Sequence, residues 1–278
     1  MELLNGKELR EKKIEELKSK IEKLNELIGL AVIQVGNDEA SNVYIKQKEK
    51  LAGRLGYYFI HKKFNESITN EELIDEINKL NNNDQIDGII VQMPLPKHID
   101  SVKAVNEINE YKDVDGLGFI NAGKLMHREQ ALVSCTPKGI LDLIDNNSIK
   151  IEGQHVVIVG RSILVGKPLA CLFTNRNATV TLCHSKTIDL TKYTKEADIL
   201  VVAVGKKHFI TENMVKDGAV VIDVGINREG KKLYGDVDFD NVSKKASYIT
   251  PVPGGVGPMT VYELMDNTYK AHILRKKL

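Results

Sequence analysis

His155-Val156-Val157-Ile158-Val159-Gly160-Arg161-Ser162-Ile163-Leu164-Val165-Gly166-Lys167-Pro168 runs an apolar, β-branched segment straight into a pair of glycines. A run that is apolar on both faces reads as a strand buried inside a parallel sheet. The glycine that ends it lets the chain turn sharply, and the second permits close approach of a bound pyrophosphate. The helix that follows aims its free N–H groups and positive dipole end at that phosphate. The spacing is not the usual G-x-G-x-x-G, so a tight strand–helix turn without a ligand accounts for this segment equally well taken alone.

Working outward, the same rhythm repeats. Thr179 to Leu182, Ile199 to Val204 and Ala219 to Val224 are apolar strands separated by helical stretches, the pattern of a parallel sheet covered on both sides. Toward the amino terminus, Ile14, Leu17, Ile21, Leu24 and Ile28 predict an amphipathic helix over 7–28, followed by a β-rich run from Leu30 to Gly36. Helix is expected at about 39–55, strand at Tyr57 to His61, helix after Thr69, and strand from Gly88 to Gln92. A further helix carries Ile99, Val102, Val105 and Ile108, and a last one runs from Thr260 to Leu274. Thr69 with Glu72, and Thr260 with Glu263, read as capping boxes. Regular patterning pauses at 112–136. The expectation is an α/β chain of two domains, the second a Rossmann-like parallel sheet, with a ligand cleft between them. Residues 1–125 and 259–278 form one domain and 126–258 the other.

Composition narrows the function. The 278 residues are 42% hydrophobic and 28% charged, ordinary for a chain with a sizeable core. Lysine and arginine number 39 against 38 acids, a formal charge of +1, which argues against nucleic acid as partner. Cys135, Cys171 and Cys183 have no metal-ligand spacing and fit reduced thiols, so no metal is expected. The N-terminus lacks a basic stretch followed by an apolar one, and no apolar segment is long enough to span a bilayer. A soluble, cytoplasmic protein without membrane contact is expected.

An NAD site places a carboxylate at the end of the next strand to meet the ribose hydroxyls. Here that place reads Cys183-His184-Ser185-Lys186, with none. Arg161, Ser185 and Lys186 can instead hold a 2′-phosphate, which favours NADP over NAD; the alternative is a polar loop. A second glycine-rich stretch, from Pro251 to Thr260, alternates restricted prolines (Pro251, Pro253, Pro258) with permissive glycines (Gly254, Gly255, Gly257). It is a loop of specified shape before a helix N-terminus, suited to a ligand or serving structure alone.

In the front half, Tyr44 and Lys48 share one face of a helix, where a ring can stack on a flat substrate and a shielded amine can lose its proton. Lys46, Lys48 and Lys50 as solvated charges are the plainer alternative. Tyr-x-x-x-Lys also occurs in short-chain dehydrogenases, but there it follows the glycine turn; here it precedes Gly160, which excludes that family. Gln92 ends a strand before Met93-Pro94-Leu95-Pro96, as a ligand-facing amide or a turn cap. Asp115, in Lys112-Asp113-Val114-Asp115-Gly116, can pair with the N–H donors of a heterocycle or form an Asx turn.

These segments together resemble the bifunctional methylenetetrahydrofolate dehydrogenase/methenyltetrahydrofolate cyclohydrolase family. The resemblance rests on Ser41-x-x-Tyr44-x-x-x-Lys48, Val91 to Pro96, Lys112 to Gly116, Asn121 to Leu125, Cys135 to Gly139, Gly160 to Pro168, Cys183 to Ser185, Asp223 to Asn227 and Pro251 to Thr260, all in order. It implies a folate-binding catalytic domain (1–125 and 259–278) and an NADP-binding domain (126–258). Methylenetetrahydrofolate would be oxidised with NADP and the methenyl product hydrolysed to formyltetrahydrofolate. By resemblance Tyr44 stacks on the folate, Lys48 is the principal catalytic group, Gln92 tunes it, and Asp115, Gly255 and Pro258 bind substrate. Gly160, Arg161, Ser162, Gly166, Ser185, Gly225 and Ile226 contact the cofactor, Arg161 and Ser185 at its 2′-phosphate. A homodimer is implied. Ile163-Leu164 and Glu110 depart from the family's habit without touching these residues. Two rivals stay open: a dehydrogenase lacking the hydrolase activity, and a nucleotide-sensing protein without catalysis.

Overall fold

In the computed structural model, which describes residues 1–230 and 232–277, regular elements alternate along the chain. The front part contains β1 (Glu2–Leu3), α1 (Gly6–Leu24), β2 (Gly29–Val35), α2 (Glu39–Leu55), β3 (Tyr58–Phe64), α3 (Asn70–Asn81), β4 (Gly88–Val91), α4 (Ser101–Glu107) and α5 (Phe119–Met126). Then come α6 (Cys135–Asn146), β5 (His155–Val159), α7 (Gly166–Asn175), β6 (Thr179–Cys183), α8 (Leu190–Thr194), β7 (Ile199–Val202) and β8 (Val220–Asp223). A hairpin of β9 (Asn227–Glu229) and β10 (Lys232–Tyr234), α9 (Phe239–Val242), β11 (Tyr248–Ile249) and α10 (Val256–Arg275) complete it.

The chain divides into two compact units, residues 13–135 with the segment from 261 onward, and residues 1–12 with 136–260. The division differs from the expected ranges at the chain's start, because β1 pairs in parallel with β11 and so extends the second unit's sheet. It also differs at both internal boundaries, residues 126–135 falling in the first unit and 259–260 in the second.

The first unit is built on a parallel sheet of order β3-β2-β4. Its central strand is wholly buried, and Ala31, Ile33, Ile77, Ile86 and Ile89 lie in one apolar cluster with it. α3 starts where the sequence indicated: Thr69 accepts from the Glu72 N–H, and the Glu72 carboxylate accepts from the Thr69 N–H at 2.8 Å. α4 is shorter than the apolar spacing suggested. Asp100 caps it, and Val102 is 52% exposed while Ile99, Val105 and Ile108 are buried, because Ile99 and Ile108 flank the helix.

The second unit holds a six-stranded sheet of order β1-β11-β8-β7-β5-β6, with parallel pairing throughout. Val157, Val159, Leu200, Val202 and Val221 build its core. From β5 the chain adds β6 on one side and then β7 on the other. The order therefore reverses at β5, and the carboxyl ends of β5 and β7 flank a topological switch point, where such sheets bind ligands.

One cap is corrected. α10 begins at Val256, so Thr260 lies inside the helix; its hydroxyl sits 3.0 Å from the Thr136 hydroxyl, and Glu263 is buried. The helix starts early because Pro258 occupies its third position, where a backbone N–H has no intrahelical acceptor to lose.

Candidate functional site

In the first unit, α2 carries the reactive side chains. Asp38 caps it, accepting from the Ser41 N–H at 2.7 Å, and Gly56 closes it in the left-handed region at φ 74°. Ser41, Ile45, Ala52 and Leu55 form its buried stripe, and Lys48 falls on that stripe at the 4-3-4-3 spacing. Lys48 is half-buried as a result, whereas Lys46 and Lys50 are exposed. This spacing is the signal in the sequence that separates Lys48 from its neighbours. Tyr44, one turn earlier, keeps 38% of its surface open, as a stacking platform requires.

The Lys48 Nζ donates to Gln92 Oε1 at 2.8 Å. Gln92 in turn donates through Nε2 to the Met93 carbonyl at 2.8 Å, and its N–H donates to the Ile33 carbonyl. With the amide NH₂ so engaged, the amide oxygen is the atom presented to the amine. The Ser41 hydroxyl lies 2.8 Å from Asp38 Oδ2 and 3.2 Å from the same Met93 carbonyl, tying α2 to the exit of β4. Burial holds the Lys48 amine below the ordinary lysine range, while the charges of Asp115 and Cys135 pull it back up. An amine so placed can carry a proton to or from a bound molecule.

The Lys112 to Gly116 segment divides its duties. Lys112 is buried, donating to the carbonyls of Leu80, Asn81 and Asn83 at 3.1, 2.7 and 2.8 Å. Asp113 accepts from the Gly118 N–H at 2.9 Å and from Asn121 Nδ2 at 3.0 Å. The Asx-type turn open to Asp115 thus belongs to Asp113, and Asp115 stays half-buried and electrostatically coupled to Lys48. Gly116 has φ +66°, and a Cβ there would overlap the Leu132 carbonyl, so the sharp turn after Asp115 requires glycine.

In the second unit the other candidates gather at the carboxyl edge of the sheet. Gly160 has φ +130°, and a Cβ on it would overlap the Ala203 carbonyl oxygen. A Cβ on Gly166 would overlap the Gly160 carbonyl oxygen, so α7 docks directly on the turn leaving β5. Gly166 therefore serves close helix–strand packing, whereas the sequence alone suggests that the second glycine makes room for a pyrophosphate. Ser162 Oγ accepts from the Val165 N–H at 3.1 Å and shapes the loop, and Arg161 is exposed. The amino end of α7 has no side-chain cap. The Lys167 N–H donates to the Ser162 carbonyl at 3.0 Å and Pro168 has no N–H, so an anion there would meet the helix's positive end and the Gly166 N–H.

After β6, the His184 N–H donates to Thr187 Oγ1 at 2.8 Å and the Thr187 N–H to the His184 carbonyl at 2.8 Å. This tight turn leaves Ser185 and Lys186 exposed. Gly225 is buried and Ile226 is 47% exposed. Gly255 donates to the Pro251 carbonyl at 2.8 Å, and a Cβ on it would come within 2.7 Å of Thr250 Cβ. Gly255 and Pro258 belong to this second unit, while Tyr44, Lys48, Gln92 and Asp115 belong to the first. Exposed Arg161 and Ser185, an uncapped helix end and a glycine-tightened turn form a donor set that fits a phosphorylated dinucleotide. Sequence reasoning assigns no role to Asp236, which lies at the centre of this edge.

A parallel sheet with a glycine turn at its switch point, joined to a unit presenting an oriented, half-shielded lysine, defines a dinucleotide-dependent enzyme of the dehydrogenase class. Comparison with known proteins gives the family. Residues 4–115 match the tetrahydrofolate dehydrogenase/cyclohydrolase catalytic domain, and residues 134–276 match the NAD(P)-binding domain of the same family. The chain belongs to the tetrahydrofolate dehydrogenase/cyclohydrolase family. It is 50% identical to the bifunctional protein FolD of a Nitratiruptor species, over 100% of both chains. Its fold superposes on the crystal structure of the bifunctional enzyme FolD from Campylobacter jejuni with a TM-score of 0.97 at 46% identity, covering 99% of each chain. The Trypanosoma brucei dehydrogenase-cyclohydrolase, solved with NADP cofactor and an inhibitor, matches with a TM-score of 0.94 at 35% identity, covering 99% of this chain and 98% of that one.

Proposed function

We propose that this chain oxidises 5,10-methylenetetrahydrofolate with NADP and hydrolyses the resulting 5,10-methenyltetrahydrofolate to 10-formyltetrahydrofolate. The observation that carries the reading is the Lys48 amine, half-buried and seated on Gln92 Oε1 at 2.8 Å, in a chain of this family. Tyr44 stacks on the folate rings and Asp115 pairs with the pterin's N–H groups, with Gly255 and Pro258 as further substrate contacts. When bound, NADP supplies the acceptor for the hydride lost by the methylene carbon. Gly160, Arg161, Ser162, Ser185, Gly225 and Ile226 hold it, Arg161 and Ser185 taking the 2′-phosphate in place of an NAD-type carboxylate, while Gly166 contributes by seating α7 on the turn that faces it.

In the hydrolysis, water adds to the methenyl carbon and gives up one proton; the bond from that carbon to N5 then breaks as the remaining hydroxyl proton passes to N5, leaving the formyl group on N10. Lys48 moves these protons, burial favouring its neutral amine. Gln92 keeps that amine on one rotamer. The residues around Lys48 form the folate-binding part and those around Gly160 the NADP-binding part. Among the described residues no helix is long and apolar enough to cross a membrane. We place the protein in the cytoplasm as a homodimer acting on a small-molecule substrate, with neither nucleic acid nor membrane as partner.

The test is spectrophotometric. Oxidation of methylenetetrahydrofolate proceeds with NADP in preference to NAD, and added methenyltetrahydrofolate loses its absorbance faster than in buffer. Equal use of both cofactors contradicts the 2′-phosphate assignment, and loss of absorbance only at the buffer rate contradicts the hydrolase.

A further inference from the structure

Two buried carboxylates hold the carboxyl edge of the six-stranded sheet. Asp236 is 0% exposed. Its Oδ2 accepts from the N–H groups of Val204 and Gly205 at 2.7 and 2.9 Å, and its Oδ1 from the Lys206 N–H at 2.8 Å and Asn227 Nδ2 at 2.9 Å. Asp223 Oδ1 accepts from the N–H groups of Gly225 and Asp236, and Oδ2 from that of Val237, each at 2.9 Å. The two are cross-seated. A Cβ on Gly225 would overlap the Asp236 carboxylate, and one on Gly235 would overlap the Asp223 carboxylate. Each acid has a valine next in the chain and a glycine close by, in Asp223-Val224-Gly225 and Gly235-Asp236-Val237.

Packing alone does not call for this arrangement. Burying two carboxylates carries a desolvation cost that an apolar side chain of similar volume avoids. What the acids supply is acceptors for the backbone donors of two loops. One is 204–206, leaving β7, whose preceding carbonyl at Ala203 forms the wall against which Gly160 packs. The other is 224–227, leaving β8, which holds Gly225 and Ile226. Both loops lie at the sheet's ligand-binding edge.

We infer that Asp236, supported by Asp223, is a positioning residue of the dinucleotide site: its carboxylate fixes loops 204–206 and 224–227 in the conformation that receives the cofactor. This rests on the reading that this unit binds NADP. Asparagine cannot replace it, because both oxygens only accept, and an NH₂ group would face N–H donors.

The experiment is calorimetric titration of NADPH into wild type, Asp236→Asn and Asn227→Ala, with methenyltetrahydrofolate hydrolysis measured on the same samples. Asn227→Ala removes one donor and leaves the three backbone bonds of Asp236, so it tests the clasp without orphaning the carboxylate. The inference predicts an NADPH Kd raised about tenfold or more in Asp236→Asn and about threefold in Asn227→Ala. Hydrolysis, which does not consume the cofactor, stays within about twofold in Asn227→Ala. Wild-type affinity in Asn227→Ala overturns the inference whether or not Asp236→Asn folds, and so does an equal loss of hydrolysis and binding there. A wild-type protein that fails to bind NADPH sinks the NADP reading itself.

Discussion

Lys48 and its neighbours make the mechanism testable residue by residue. Burial lowers the amine's pKa and the charge of Asp115 raises it, so removing that charge must move the ionisation further down. Asp115→Asn is expected to shift the rising, acid-side limb of the kcat profile for methenyl hydrolysis, which reports loss of the amine's proton, to lower pH, beside a raised KM for folate. A shift to higher pH, or none, contradicts the coupling. Asp223 gives a second titration. Burial raises its carboxyl to about 6, against the bonds from the Asp236, Val237 and Gly225 N–H groups. A folded-state pKa above the unfolded one favours folding most at low pH, and that contribution is lost as pH rises through about 6. Between pH 7 and pH 5, urea unfolding should therefore show wild type gaining on the order of 1 kcal/mol relative to Asp223→Asn. No relative gain would contradict the raised pKa. At this scale the sequence marks Tyr44, Lys48, Gln92 and Asp115 as candidates by type and spacing. It is silent on Asp236, because a carboxylate that accepts four bonds from distant segments leaves no local pattern.

Among the elements, periodicity is informative where one face is buried against a sheet. β5, β6, α2 and α3 follow the apolar spacing and the Thr69–Glu72 cap closely. It misleads where contacts beyond the element move its ends. β7 stops at Val202, short of the expected Val204, because the Val204 N–H leaves the ladder for Asp236. α10 begins at Val256, ahead of the expected cap, because the turn from Pro251 to Gly255 directs the chain into helix before Thr260. The contact of α7 with β5 can be tested at one atom. Alanine at Gly166 puts a methyl into the Gly160 carbonyl, a backbone neighbour that cannot rotate away. Gly166→Ala should cost about 1–3 kcal/mol in urea unfolding, and wild-type stability would show that the helix has room to move.

For the whole molecule, the two-domain α/β class is legible from alternation alone, and the ordered set of motifs points to the family that the full-length comparisons establish. The extent of each unit is less legible. β1 is only two residues long, and nothing in it announces the pairing with β11, near the other end of the chain, that puts the first residues with the second sheet. Assembly is a prediction of its own: sedimentation equilibrium should give twice the chain mass, and a monomer at micromolar concentration contradicts the homodimer.

The most direct test of the account is Lys48→Ala, assayed for methenyltetrahydrofolate hydrolysis with NADPH affinity measured in parallel. Hydrolysis falling about a hundredfold or more, with NADPH binding unchanged, is the expected result. Hydrolysis at the wild-type rate in a protein lacking that amine would contradict it.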